Sequence, residues 1–98
     1  MPANDAEGMD NRMEVTLYSR PGCTLCEEAQ RDLETLKADY GFVLRVVNVD
    51  DDPELAARYG AQIPVVAIGG EVALVTRVSR IRFRKAWEEK LRQQSTAN

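Results

Sequence analysis

The chain has 98 residues, 44% of them apolar and 30% charged. That is enough for one domain around one core and too little for two. No apolar run approaches the roughly 18 residues of a membrane span, so a membrane-spanning role is not expected. The net charge of −3 is unevenly spread: residues 1–76 carry 14 acidic and 6 basic side chains, whereas residues 77–98 carry 2 acidic and 7 basic.

Residues 1–13 are polar, contain Pro2 and Gly8 and offer almost nothing to bury, so they read as a disordered tail. They also lack the apolar stretch after a basic start that marks a secretory leader. That points to a cytoplasmic, reducing setting. Val15 and Leu17 then alternate with Thr16 and Tyr18, as in a strand over residues 14–19. Arg20-Pro21-Gly22 is a turn. Leu25, Ala29, Leu33, Leu36 and Tyr40 recur at helical spacing and form one apolar stripe, and Gly41 closes that helix. Val43–Val49 is a β-branched run, expected to be a well-buried strand. Asp50-Asp51-Asp52 lacks the further spacing of a calcium loop. It reads as a turn in which Asp52 caps a short helix, Pro53–Tyr59, with Pro53 at the first helical position and Gly60 as its stop. Gly69-Gly70 joins the strands Val65–Ile68 and Glu71–Thr76 as a two-residue hairpin. Ser79 caps a last helix reaching about Gln94, with Phe83, Trp87 and Leu91 as its core positions. Ser95–Asn98 is expected to fray.

The order is β-α-β-α-β-β-α. Its βαβ start demands a parallel pair, and its hairpin demands an antiparallel one. An α/β domain over residues 14–94 satisfies both with a mixed four-stranded sheet and helices on both faces.

The two cysteines stand three positions apart, in Cys23-Thr24-Leu25-Cys26, between the first strand and the first helix. In a reducing compartment a pair so placed reads as a dithiol redox centre. The first sulfur sits where unpaired helix N–H groups and the helix dipole favour an anion, and the thiolate is the reactive form. Cys23 is therefore the candidate nucleophile. Arg20 is either its electrostatic activator or an ordinary loop charge. Cys26, one helical turn on, is the candidate resolving thiol. Zinc asks for about four N or S ligands; with no histidine and only two cysteines, one chain cannot supply them. A pair of inert thiols and a cluster bridging two chains are the alternatives to redox chemistry. The basic stretch Arg77, Arg80, Arg82, Arg84 and Lys85 could meet an acidic partner or nucleic acid. In an acidic chain it reads instead as a solvated helix face.

Three segments carry a family likeness. Val15-Thr16-Leu17-Tyr18-Ser19-Arg20-Pro21-Gly22-Cys23-Thr24-Leu25-Cys26 resembles the start of a glutaredoxin, with a basic residue three before the first cysteine. Asn48-Val49-Asp50, Pro53-Glu54-Leu55-Ala56 and Arg58-Tyr59-Gly60 resemble the second strand and helix of the thioredoxin superfamily. Ile63-Pro64-Val65-Val66 resembles its segment with a cis proline. The likeness spans residues 14–94 and is to a small glutaredoxin-like protein of the thioredoxin fold. The chain departs from that pattern in Thr24-Leu25 between its cysteines, where glutaredoxins carry Pro-Tyr. It departs again in Arg77-Val78-Ser79-Arg80, where they carry a Gly-Gly-Asp-type turn.

The resemblance implies a thiol–disulfide oxidoreductase that reduces protein or glutathione mixed disulfides, attacking through Cys23 and resolving through Cys26. It implies a cis Ile63–Pro64 bond whose backbone lies beside Cys23 and pairs with substrate backbone; a trans proline opening a strand is the alternative. Arg58 and Ser79 are candidates for a substrate carboxylate, or else a surface charge and a helix cap. No bound cofactor or metal is implied; glutathione enters as reductant. The expected partner of a monomeric protein is then a disulfide-bearing protein or glutathione. A different class of function is also open: a partner-binding or redox-sensing module that does not turn over, docking through Arg77–Lys85.

Overall fold

In the computed structural model, residues 13–96 are described. The elements are β1 (Glu14–Ser19), α1 (Thr24–Tyr40), β2 (Val43–Asn48), a 3-10 turn (Val49–Asp51), α2 (Pro53–Tyr59), β3 (Val65–Ile68), β4 (Glu71–Val75) and α3 (Arg80–Thr96). The expected tail over residues 1–13 lies outside the described residues except for Met13. That residue belongs to the fold: its carbonyl accepts the Val43 N–H at 2.9 Å, and its side chain packs on the core. The proposed frayed end falls partly outside as well. Helix α3 continues through Ser95 to Thr96, past the expected end near Gln94.

The sheet order is β2-β1-β3-β4. β1 runs parallel to β2, from Glu14↔Val43 to Ser19↔Asn48, and antiparallel to β3, from Val15↔Ile68 to Tyr18↔Val65. β4 pairs antiparallel to β3, with Ala67 opposite Val72 and Val66 opposite Leu74. Ala73 is thus an extra residue, a β-bulge in the outer strand. Gly69 (φ +60) and Gly70 (φ +89) make the hairpin turn in the left-handed region, which costs side-chain-bearing residues heavily.

Strand alternation sets the layers. Val15 and Leu17 of β1, with Val66 and Ile68 of β3, point into the main core against Ala29, Leu33 and Leu36 of α1 and Phe83 of α3. Phe42, just before β2, completes that cluster with Tyr40 and Trp87, whose rings lie 5.3–5.8 Å from one another and from Phe83 in edge-on, tilted and stacked arrangements. Tyr18 points to the opposite face and meets Tyr59 of α2 at a centroid distance of 4.5 Å. Helices therefore cover both faces, as the sequence predicts.

Three packing expectations are corrected. Leu25 is 53% exposed, and Cys26 takes its place at the head of the stripe with Ala29, Leu33 and Leu36. Leu91 is 43% exposed rather than part of the core. β2 is an edge strand, not a fully buried one: Val46 is 42% exposed, and Arg45 pairs with Glu14 across the edge at 2.7 Å.

Candidate active site

β1 stops at Ser19, and Arg20-Pro21-Gly22 turns the chain into α1. The turn is closed by the Cys23 N–H donating to the Arg20 carbonyl at 3.4 Å. Cys23 is the N-cap of α1, with extended backbone (φ −93, ψ 108). Its Sγ accepts the backbone N–H of Cys26 at 3.2 Å, and its carbonyl accepts that of Glu27 at 3.0 Å. A sulfur thus does what a serine or aspartate oxygen does at most helix starts. The two thiols, both free, differ in surroundings. Cys23 is partly exposed, whereas Cys26 is 3% exposed among core side chains. Burial pushes the Cys26 thiol up to about 12, with the hydrogen bond to Cys23 adding to the rise.

Arg20 does not stand free beside this turn. Its Nε reaches both carboxylate oxygens of Asp50 at 3.1 Å, and its Nη2 reaches Oδ1 at 3.0 Å. The charge-assisted bonds raise the pKa of the guanidinium further. Asp50 is placed by the 3-10 turn after β2, where its own N–H donates to the Asn48 side-chain oxygen at 2.9 Å. Sequence reading took Asp50 only as part of a turn. The available signal was topological: in a parallel β1–β2 pair, the segments following both strands emerge at the same sheet edge.

The Ile63–Pro64 bond is cis. Pro64 is fully buried, and Ile63 remains partly exposed. With Tyr18 opposite Val65, these two residues lie alongside the chain leaving β1 toward Cys23. Thr76 holds them from the other side: its N–H donates to the carbonyls of Pro64 at 2.7 Å and Gln62 at 3.0 Å, and its hydroxyl donates to Gln62 at 3.2 Å. Thr76 does this at φ +65, an uncommon conformation for a β-branched residue. Sequence periodicity contains no sign of that role.

Ser79 caps α3: its Oγ accepts the Arg82 N–H at 3.2 Å, and its carbonyl accepts that of Phe83 at 2.9 Å. A groove of about 550 Å³ places Ser79 and Thr76 on one wall and Leu25, from between the cysteines, on the other. Arg58 lies exposed in the last turn of α2 and makes no ion pair among the described residues. Arg77, Arg80, Arg82, Arg84 and Lys85 are all exposed, and Arg80 reaches Asp32 of α1 at 3.7 Å. Among the described residues, no three His, Cys, Asp or Glu side chains gather as metal ligands. No described helix is long and apolar enough to cross a membrane.

Comparison with known proteins bears on the family and the fold. Residues 14–94 match the glutaredoxin-like domain family (DUF836). An uncharacterized protein of Mycobacterium tuberculosis is 30% identical over 79 residues, covering 76% of this chain and 81% of that protein. The X-ray structure of a structural genomics target from X. campestris is 32% identical, with a TM-score of 0.64 over 78% of this chain and 96% of the other. Thioredoxin 1 of Thermosipho africanus is only 15% identical yet superposes with a TM-score of 0.63 over 84% of this chain and 98% of its own, a likeness of fold alone. A thioredoxin-like fold, a Cys-x-x-Cys turn at the start of α1 and a family match across nearly all the described residues lead to one conclusion: the chain belongs to the glutaredoxin-like domain family.

Proposed function

We propose that the protein is a thiol–disulfide oxidoreductase that reduces protein or glutathione mixed disulfides. The observation that carries this reading is the inequality of the two sulfurs: Cys23 is accessible and capped onto the helix start, while Cys26 is buried and held protonated. Cys23, as thiolate, attacks one sulfur of the substrate disulfide. The substrate S–S bond breaks, a mixed disulfide forms on Cys23, and the departing thiolate keeps the bonding pair and takes a proton. Cys26 then gives up its proton and attacks Cys23. This closes an intramolecular disulfide and releases the second substrate thiol. Two electrons leave the dithiol in each cycle. A thiol reductant such as glutathione, or a reductase, returns them in a reducing compartment such as the cytosol.

The cis Ile63–Pro64 bond, with Ile63 partly exposed alongside the chain that leads to Cys23, supports a role in pairing with substrate backbone. Ser79 and Thr76 would then flank the substrate in the groove facing Leu25. Arg58, exposed on α2, would meet a substrate carboxylate. The test is a disulfide-reduction assay on paired variants. Cys23→Ser should abolish turnover, and Cys26→Ser should accumulate a covalent mixed disulfide visible by mass spectrometry. Parent-level activity in both variants would refute the assignment.

A further inference from the structure

Arg20 is the cation nearest in sequence to the attacking sulfur, and its charge acts on both cysteines. A guanidinium has a planar fork of donors that fits a carboxylate edge. Left free, that fork is able to bind the carboxylate of an incoming anionic disulfide. In this chain Asp50 already occupies one edge of it, through Nε and Nη2, at 3.0–3.1 Å.

Two features keep the pair in register. The Asn48 side chain holds the Asp50 N–H at the head of the 3-10 turn. On the other side, Gly60 leaves room for Arg20: a Cβ there would come within 3.2 Å of Arg20 Nη2 and 2.5 Å of the Ala56 carbonyl oxygen. Arg20 also lines the recess that reaches Cys26, together with Asn48 and Val46. The carboxylate and the closely packed glycine thus engage the Nε–Nη2 edge of Arg20, while the side chain stays 38% exposed.

We propose that Asp50 is a specificity-determining residue: by occupying the Nε–Nη2 edge of Arg20 it weakens that cation's pull on anionic substrates, so that among protein and glutathione mixed disulfides Cys23 favours the less anionic ones. This rests on Cys23 being the attacking sulfur, and it gives Asp50 a role through Arg20 rather than a step in the reaction. The pair is partly exposed and contributes little to folding stability. Its effect belongs to substrate choice.

The test uses stoichiometric reaction of the reduced full-length chain with two disulfides, dianionic dithiobis-nitrobenzoate and uncharged dithiodipyridine. In each, Cys23 displaces one aromatic thiolate, which leaves with the S–S bonding pair and is read by absorbance. The measured quantity is the ratio of the anionic to the neutral rate. Asp50→Asn should raise that ratio at least threefold, and the rise should shrink to less than half in an Arg20→Gln background. Asp50→Ser serves as a second variant, with far-UV circular dichroism confirming the fold of each. An unchanged ratio overturns the proposal. So does a rise of equal size in both backgrounds, since that would come from the lost Asp50 charge alone. The reaction needs no turnover or reductant. A chain that exchanges disulfides with the expected ratios but fails the reduction assay would refute the oxidoreductase reading and leave this one standing.

Discussion

At the scale of single residues, Cys26 is defined by what surrounds it. Its burial favours the neutral thiol, so it retains its proton in the folded chain up to about 12, whereas an unfolded cysteine titrates near ~8.5. The folded state therefore binds the extra proton between those values. The stability this group confers is complete below the unfolded value and is lost as pH rises through the folded one. In reducing buffer, the denaturant midpoint of the parent should fall more steeply between about pH 8.5 and pH 11 than that of Cys26→Ala. The same inequality predicts selective labelling: limiting iodoacetamide at neutral pH should modify Cys23 in the native protein, with Cys26 modified only after unfolding, as peptide mapping would show. The Cys-x-x-Cys pair was legible at once from its spacing. Asp50 was not, because its meaning depends on Arg20, which lies 30 positions away in sequence.

At the scale of elements, the caps were the most legible features, since each is a local agreement between side chain and backbone. Asp52 accepts the Glu54 N–H at 2.9 Å with Pro53 next to it, and Ser79 accepts that of Arg82, as their positions in the sequence predict. Ser79→Ala should cost about 1 kcal/mol by removing one partner from the start of α3. Chemical denaturation would measure that loss, and Ser79→Asp should restore most of it. Periodicity was less decisive at the edge of a stripe. Leu25 and Cys26 are adjacent and both border the buried face of α1, so spacing alone favoured the more apolar side chain. The structure buries the sulfur and leaves Leu25 at the groove. The status of β2 was equally hidden: a β-branched run fits a pleated surface, but strand order decides whether that surface is covered on one side or two.

At the scale of the whole molecule, Phe83 joins the parts. It is fully buried, it belongs to the cluster shared by α1, β1 and β3, and its ring contacts Tyr40, Phe42 and Trp87. Phe83→Ala should destabilise the fold by about 3–5 kcal/mol, a large share of the ~5–15 kcal/mol that holds a domain together. Thermal unfolding would register this as a drop of many degrees, while Leu91→Ala on the exposed end of α3 should change little. Topology could be argued from the sequence because the βαβ start and the Gly69-Gly70 hairpin constrain strand direction independently of packing. The irregularity at Ala73 could not, since nothing in a run of small apolar residues says where pairing slips. That slip governs how the molecule meets its neighbours at high concentration. A ribbon with one surplus residue cannot zip flush against an identical ribbon from another molecule, because the rungs of the ladder fall out of step there. The opposite border of the sheet carries the Arg45–Glu14 charges instead. A surplus residue on one border strand and a charged Arg45 on the other both work against the fibre-like stacking that valine-rich strands invite.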